Sequence, residues 1–259
     1  MRLVFLAAVL ACSAVAQSAQ DLPPDRIAGL EAPWLQQSGW WQLDGKGLKG
    51  WHTRDGQPGT WFAARTVDCV KTDPKKLLAK PSPGKIIVNG PDGKTADLVT
   101  DDKLGDVELY VEWMIPQGSN SGVYLHGLYE VQIFDSYGKT RLGTIDAGAI
   151  YNRWIDEKPV GGSAPKVNAS RAPGEWQSFH VWFRAPRFEA GKKIQNARFL
   201  KVVYNGQTVQ ENVEVDGPTR AHMDIPEAPM NPLMLQGDHG PVAFRNIWVR
   251  PLRNSEASK

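Results

Sequence analysis

The stretch from Gly118 to Ser136, GSNSGVYLHGLYEVQIFDS, leaves few folds open, because apolar and polar residues alternate on both sides of a glycine-containing turn. Side chains two apart in a strand share a face, so the pattern reads as two short antiparallel strands joined near Gly127. Val123, Leu125, Val131 and Ile133 would fill one face. Tyr124 and His126 would point the other way, with Glu130 and Gln132 beside them after the turn. A phenol, an imidazole, an acid and an amide on neighbouring strands are expected to form a site. A half-buried sheet with one face in water gives the same alternation, and is the competing reading.

The rest of the chain repeats the strand period and has almost no helical one. Lys85 to Val88, Asp97 to Thr100, Val107 to Met114, Gly122 to Leu125, Tyr129 to Phe134, Ala147 to Tyr151, Trp176 to Arg184, Ala197 to Tyr204, Pro232 to Gln236 and Val242 to Arg250 are rich in β-branched and aromatic residues. Asn205-Gly206 suits the two positive-φ positions of a type I′ hairpin turn. Loops are expected at Asp73 to Gly84, Asp156 to Gly174 and Pro218 to Asn231, some of them forming the rim of the site. Strand count and spacing predict an all-β sandwich or jelly roll, and about 240 residues suffice for one such domain.

The amino terminus reads as a secretory leader. Arg2 precedes the apolar run Leu3 to Leu10, and Ala14-Val15-Ala16 is a small-x-small cleavage site, so residues 1–16 are expected to be removed. A lipoprotein signal with lipidated Cys12 is the rival reading. The apolar run is far shorter than the roughly 20 residues of a membrane-spanning helix. An exported, periplasmic or extracellular protein without a membrane anchor is expected. Its one remaining thiol, Cys69, cannot form an internal disulfide, so the core must hold the fold.

The net charge of +2, with both signs mixed along the chain, gives no basic stripe for nucleic acid or an anionic membrane. Neutral or small partners are expected. Gly45-Lys46-Gly47-Leu48-Lys49-Gly50 spells the dinucleotide-binding G-x-G-x-x-G, but Trp51-His52-Thr53-Arg54-Asp55-Gly56 follows without an apolar helical period. That motif binds pyrophosphate only at the start of a helix, so a glycine-rich turn is expected here. No P-loop, zinc-type His/Cys spacing or G-x-S-x-G elbow occurs. His52, His126, His180, His222 and His239 never stand at i, i+4 on a helix. Neither a metal nor a cofactor is therefore expected. Among ten tryptophans, Trp113 and Trp248 lie in strong strand patterns and read as structural. Trp154 follows Tyr151-Asn152-Arg153 in a polar loop, and is the candidate platform for a sugar ring.

Leu43-Asp44-Gly45-Lys46-Gly47-Leu48-Lys49-Gly50-Trp51, GSNSGVYLHGLYEVQIFDSYG, Gly148-Ala149-Ile150-Tyr151, Gly174-Glu175-Trp176-Gln177, Asn205-Gly206, Asp216-Gly217-Pro218-Thr219 and the ending GDHGPVAFRNIWVRPL occur in that order. Together they resemble the 3-keto-disaccharide hydrolase domain family, also described as 3-keto-glucoside 1,2-lyase/3-keto-2-hydroxyglucal hydratase, from about Trp40 to Leu252. The resemblance implies a concanavalin A-like lectin/glucanase jelly roll over residues 40–252, in an exported bacterial protein acting on sugars oxidised at C3. Tyr124-Leu125-His126-Gly127 departs from the YLRG of many relatives at position 126.

A C3 ketone acidifies the hydrogen on C2, so a modest base can remove it and expel the C1 substituent; water addition then completes a net hydrolysis. Such a site needs a base near C2, donors around the enolate oxygen and an acid near the glycosidic oxygen. The base candidates are Glu130, Glu112, His126 and His239, with Glu112 and Tyr110 expected on the same sheet face as Tyr124. Gln132, Tyr124, Asn120 and Arg245 are candidates for positioning or enolate stabilisation, and Asp135 for binding sugar hydroxyls. A buried ion pair or a solvent-facing strand residue is the other reading of Arg245. Asp106, Glu108 and Lys103 read as surface charge. A retaining glucanase would need two carboxyls about 5 Å apart, and a non-catalytic carbohydrate-binding module would need only an aromatic platform. The expected partners are a small 3-keto sugar and a separate oxidoreductase that makes it.

Overall fold

A computed structural model describes residues 39–252 except Pro58 and Pro91; the expected leader, Cys12 and Trp34 lie outside the described residues. Eight strands form one sheet: β1 (Trp41–Gln42), β3 (Phe62–Ala64), β6 (Ile86–Val88), β8 (Val107–Met114), β13 (Gln177–Arg184), β16 (Ala197–Tyr204), β17 (Gln207–Val215) and β19 (Ala243–Pro251). Their order is β17-β16-β13-β8-β19-β6-β3, with β1 also paired to β19. A second sheet has the order β10-β9-β18-β7-β2, from β2 (Trp51–Thr53), β7 (Leu98–Leu104), β9 (Asn120–Leu125), β10 (Tyr129–Phe134) and β18 (Asn231–Leu235). Three two-stranded ribbons complete the molecule: β4 (Val67–Val70) with β5 (Asp73–Ala79), β11 (Arg153–Ile155) with β12 (Lys158–Val160), and β14 (Arg187–Glu189) with β15 (Lys192–Gln195). The strands of both main sheets pair antiparallel throughout, giving a jelly-roll sandwich.

Alternation in each strand builds the layer between the sheets. Leu109, Val111 and Trp113 of β8 and Phe179, Val181 and Phe183 of β13 meet Val123 and Leu125 of β9, Val131 and Ile133 of β10, and Leu233 and Leu235 of β18. All are at most 1% exposed, and each such burial contributes roughly 1.5–3 kcal/mol. Trp113 lies inside this layer, whereas Trp248 is half-buried on the outer side of the eight-stranded sheet against Tyr110.

Several local expectations change. Ala147 to Tyr151 runs along β10 through bonds such as Gln132 N–H to the Ala149 carbonyl at 2.9 Å, but only Ile150 forms ladder bridges. Gly148, at φ +83°, takes that backbone out of the extended conformation. The loop expected at Asp73 to Gly84 contains β5. β17 is a strand beyond those expected; it is polar because it lies at the edge of its sheet and leaves about half its side chains toward water. Asn205 and Gly206 join it to β16 with φ of 47° and 81°, as a type I′ turn requires. Residues 45–50 form turns rather than a helix start. Cys69 is half-buried in β4 with no disulfide.

Candidate active site

The β9–β10 hairpin fixes the register of the site. Tyr124 pairs with Glu130, and Gly122 with Gln132, so these four residues share the face turned away from the core. Met234 of β18 pairs with Tyr124 and carries that face onward to Val99 of β7. Asn120, two residues before Gly122, lies on the same side.

Glu130 is buried at the centre of this face. Burial pushes its carboxyl from 4.5 up to about 8; the Tyr124 hydrogen bond opposes the rise, and the charges of Asp97 and Asp238 add to it. Tyr124 Oη lies 2.8 Å from Glu130 Oε2 and 3.0 Å from the Arg220 carbonyl. One hydroxyl proton cannot serve both acceptors. A protonated Glu130 therefore donates to Tyr124, which donates to the Arg220 carbonyl; once Glu130 ionises, Tyr124 donates to the carboxylate. Burial, followed by the Glu130 charge, raises the phenol pKa and keeps Tyr124 neutral.

Gln132 Nε2 donates to the Ile145 carbonyl at 3.3 Å, leaving its buried Oε1 without a partner among the described residues. Asn120 Oδ1 is likewise buried and unpartnered. Two such acceptors beside an acid suit the hydroxyl groups of a sugar, since a buried acceptor left unpaired costs about 1–3 kcal/mol.

Loops distant in sequence complete the walls. Asp97, just before β7, accepts from Gly237 N–H at 3.0 Å and pairs with Arg54 at 3.3 Å. Arg54 also donates to the Ala221 and His222 carbonyls, at 3.0 and 2.6 Å, tying the 218–231 loop to the same wall. Asp238 pairs with His239; that contact is the main cause of the raised imidazole pKa and the lowered Asp238 pKa. Tyr151 is half-buried; burial, followed by the Glu130 charge, raises its phenol pKa, and the nearby Arg220 charge opposes the rise. None of Arg54, Asp97, Tyr151, Arg220 or Asp238 was a candidate in the sequence. Arg220 did leave a signal, being the only lysine or arginine between Pro218 and Asn231, a loop read as rim.

The remaining candidates separate. His239 lies at the rim, exposed, within electrostatic reach of Asp97 and Arg220. Trp154, on β11, is 45% exposed, but the Arg220 guanidinium lies over its ring at 4.0 Å. That face is therefore occupied by a cation rather than open to a sugar. Asp135 uses its carboxylate to accept Gly118 N–H at 2.8 Å and Tyr137 N–H at 3.4 Å, and so braces two turns.

His126 does not share Tyr124's face. β9 ends at Leu125, and His126 turns at φ 59°, placing its ring 5.1 Å from Phe183 and 6.3 Å from Tyr129. Burial lowers its pKa, and Nε2 is 3.2 Å from the Gly105 carbonyl. Glu112 and Arg245 are also elsewhere. Strands β8 and β9 are consecutive in the chain but belong to different sheets, so Tyr110 and Glu112 face outward on the opposite side of the sandwich. There Glu112 accepts from Arg245 Nε at 2.6 Å and from Tyr110 at 3.0 Å, while Arg245 covers Trp176 at 3.9 Å. Glu108 is not surface charge: it is buried beside them, held by His180 at 2.7 Å and Arg250 at 2.5 Å. Asp106 pairs with Arg187 at 2.5 Å. Among the described residues, no group of three or more His, Cys, Asp or Glu could hold a metal ion.

A crystal structure of a candidate glycosyl hydrolase from Parabacteroides distasonis ATCC 8503 is 28% identical, with a TM-score of 0.62, covering 83% of this chain and 84% of that one. Two further candidate glycosyl hydrolases from the same organism share the fold. One has 17% identity, a TM-score of 0.55 and coverage of 83% and 94%; the other has 21%, 0.52, and 82% and 99%. No curated protein matches the sequence. Residues 40–250 match the 3-keto-alpha-glucoside-1,2-lyase-like domain. Since that match spans most of the sequence, this chain is a member of the 3-keto-alpha-glucoside-1,2-lyase-like family of carbohydrate-active proteins.

Proposed function

We propose that this protein cleaves 3-keto-glycosides, with Glu130 as the proton-transfer group at C2. The observation that carries the reading is the buried Glu130 carboxyl, raised to about 8 and joined to Tyr124 on a face that also carries unpartnered amide oxygens. A pKa near the working pH suits a group that must both take and return a proton. At pH 7 about a tenth of such an acid is ionised, and its conjugate base is stronger than an exposed carboxylate.

The sugar would lie on the face made by Asn120, Gln132 and Tyr124. Glu130 removes the C2 proton, the C1 substituent leaves by β-elimination, and water adds to the resulting glucal. An unoxidised sugar has no carbonyl to receive the charge, so C2 is inert. The family match supports this substrate class, and a secretory leader at residues 1–16 would place the reaction outside the cytoplasm. A separate oxidoreductase must then supply the ketone.

The test is proton NMR in deuterated water, with a 3-keto-disaccharide and its unoxidised parent offered in parallel. Cleavage of the oxidised sugar, with deuterium at C2 or a 2-hydroxyglucal intermediate, is expected. Efficient cleavage of the parent without exchange would establish a conventional glycosidase instead, and binding without turnover would establish a carbohydrate-binding module.

A further inference from the structure

We propose that Arg220 binds the C3 oxygen of the substrate and stabilises the enolate, and that Trp154 is the positioning residue that holds its guanidinium. The inference rests on the 3-keto-glycoside reading and adds to it a charged donor for the developing enolate.

Six contacts fix the backbone that presents Arg220. Thr219 N–H donates to the Leu128 carbonyl at 2.9 Å, Arg220 N–H to the Asn152 carbonyl at 2.8 Å, and Met223 N–H to the Gly127 carbonyl at 2.9 Å. The Arg220 carbonyl lies 3.0 Å from Tyr124 Oη, and Arg54 grips the next two carbonyls. Between them Ala221 is held at φ +64°, a left-handed conformation that a non-glycine residue keeps only where the surroundings over-determine it. The loop is pinned on the candidate site, with its strained residue adjoining Arg220.

The side chain is placed as specifically. Its guanidinium lies over the Trp154 ring at 4.0 Å, has no carboxylate partner among the described residues, and acts on both Tyr151 and His239. Tyr151 also senses the Glu130 charge, and its N–H donates to the Glu130 carbonyl at 3.1 Å, so acid, phenol and guanidinium are neighbours in one site. C2 and the C3 oxygen are adjacent groups of the sugar, so a proton leaving toward Glu130 builds negative charge on the neighbouring oxygen, where a cation stabilises it more strongly than a neutral donor. Arginine stays charged at every working pH and donates in a planar fork. An indole face holds that plane without neutralising it.

The C2–H bond breaks and its proton moves to Glu130. Its electron pair forms C2=C3, and the carbonyl π pair becomes the negative charge on O3 beside Arg220. Return of that charge restores the C3 ketone, moves the double bond to C1=C2 and expels the C1 oxygen, which takes a proton from water; Glu130 returns its own to solvent.

Arg220→Gln should lower kcat on a 3-keto-disaccharide by about a hundredfold, the size of one lost oxyanion donor, with KM changed far less. Trp154→Ala should lower kcat about tenfold, and Trp154→Phe should recover most of it. In the double variant Trp154→Ala should cost nothing beyond Arg220→Gln, because its effect passes through Arg220. An NMR titration of His239 should show a raised pKa in Arg220→Gln, which reports the placement of the cation without substrate. If wild type turns over the ketone and Arg220→Gln does so equally well, this inference alone fails. Trp154→Ala that raises KM, leaves kcat intact and adds fully to Arg220→Gln would restore the sugar-platform role and overturn the positioning one. Wild-type protein inert toward the ketone would overturn the functional reading and this inference with it.

Discussion

Gly122 lies directly beneath the Glu130 carboxyl: a Cβ at Gly122 would come within 2.3 Å of Glu130 Oε1 and 2.9 Å of its Cδ. The acid can lie across β9 only because its neighbour has no side chain. Gly122→Ala should push the carboxyl off Tyr124 while leaving the backbone in place, since the atoms in the way belong to a movable side chain. The expected result is a fall in turnover of at least about tenfold with stability within about 2 kcal/mol of wild type, read by thermal denaturation alongside kinetics. Full activity in Gly122→Ala would mean that the present Glu130 position is not the reactive one.

The raised Glu130 pKa also makes stability depend on pH. Its folded value of about 8 lies above the unfolded 4.5, so the native state favours the protonated acid. That contribution is complete below pH 4.5, declines as the pH rises from there, and is gone above about 8. Glu130→Gln removes the dependence. Its melting temperature relative to wild type should rise between pH 5 and pH 9, and a constant difference would show that Glu130 ionises normally.

The same group should govern the rate. With Glu130 as the base, kcat/KM rises with pH through an apparent pKa near 8, and Glu130→Gln lowers turnover at least about a hundredfold in a folded protein. A limb that falls through pH 8 would make Glu130 the acid instead.

Arg54 joins two walls of the site through Asp97 and the Ala221 and His222 carbonyls. Arg54→Ala should cost about 1–2 kcal/mol of stability and speed amide exchange in residues 219–223, with turnover falling because Arg220 is no longer held in place. Exchange unchanged in that segment would show that the loop is secured by its other bonds.

Glu112 provides the contrast. It is buried beneath Arg245 and Tyr110 across the core from Glu130. Glu112→Gln should destabilise the protein by about 1–3 kcal/mol and leave the kinetics of the folded fraction unchanged. A specific loss of kcat at full folding would place Glu112 back in the reaction.

Legibility in the sequence follows the range of the forces involved. Alternation is local, so the strands β8, β10 and β16 have the limits expected from the residues alone, and Tyr124, Glu130 and Gln132 share one face as their spacing requires. Alternation says which residues share a face of a strand; it does not say which sheet the strand joins. Glu112 and Tyr124 have the same parity relative to the core and lie on opposite sides of the molecule, because the chain crosses between sheets at the turn near Gly118. His126 escapes the alternation because the strand ends one residue earlier, and a left-handed turn aims its ring at Phe183.

By itself, the sequence determined an all-β chain, the β9–β10 hairpin, the polar face that centres on Glu130 and, through the order of its motifs, the family. The period-2 backbone and the turn residues impose the first three within a few residues of chain. Tertiary structure alone decided what surrounds Glu130. Arg54, Asp97, Tyr151, Arg220 and Asp238 come from separate loops with no common period, and the Glu130 pKa, the seat of Arg220 on Trp154 and the distance of Glu112 all follow from burial and charge between parts remote in sequence.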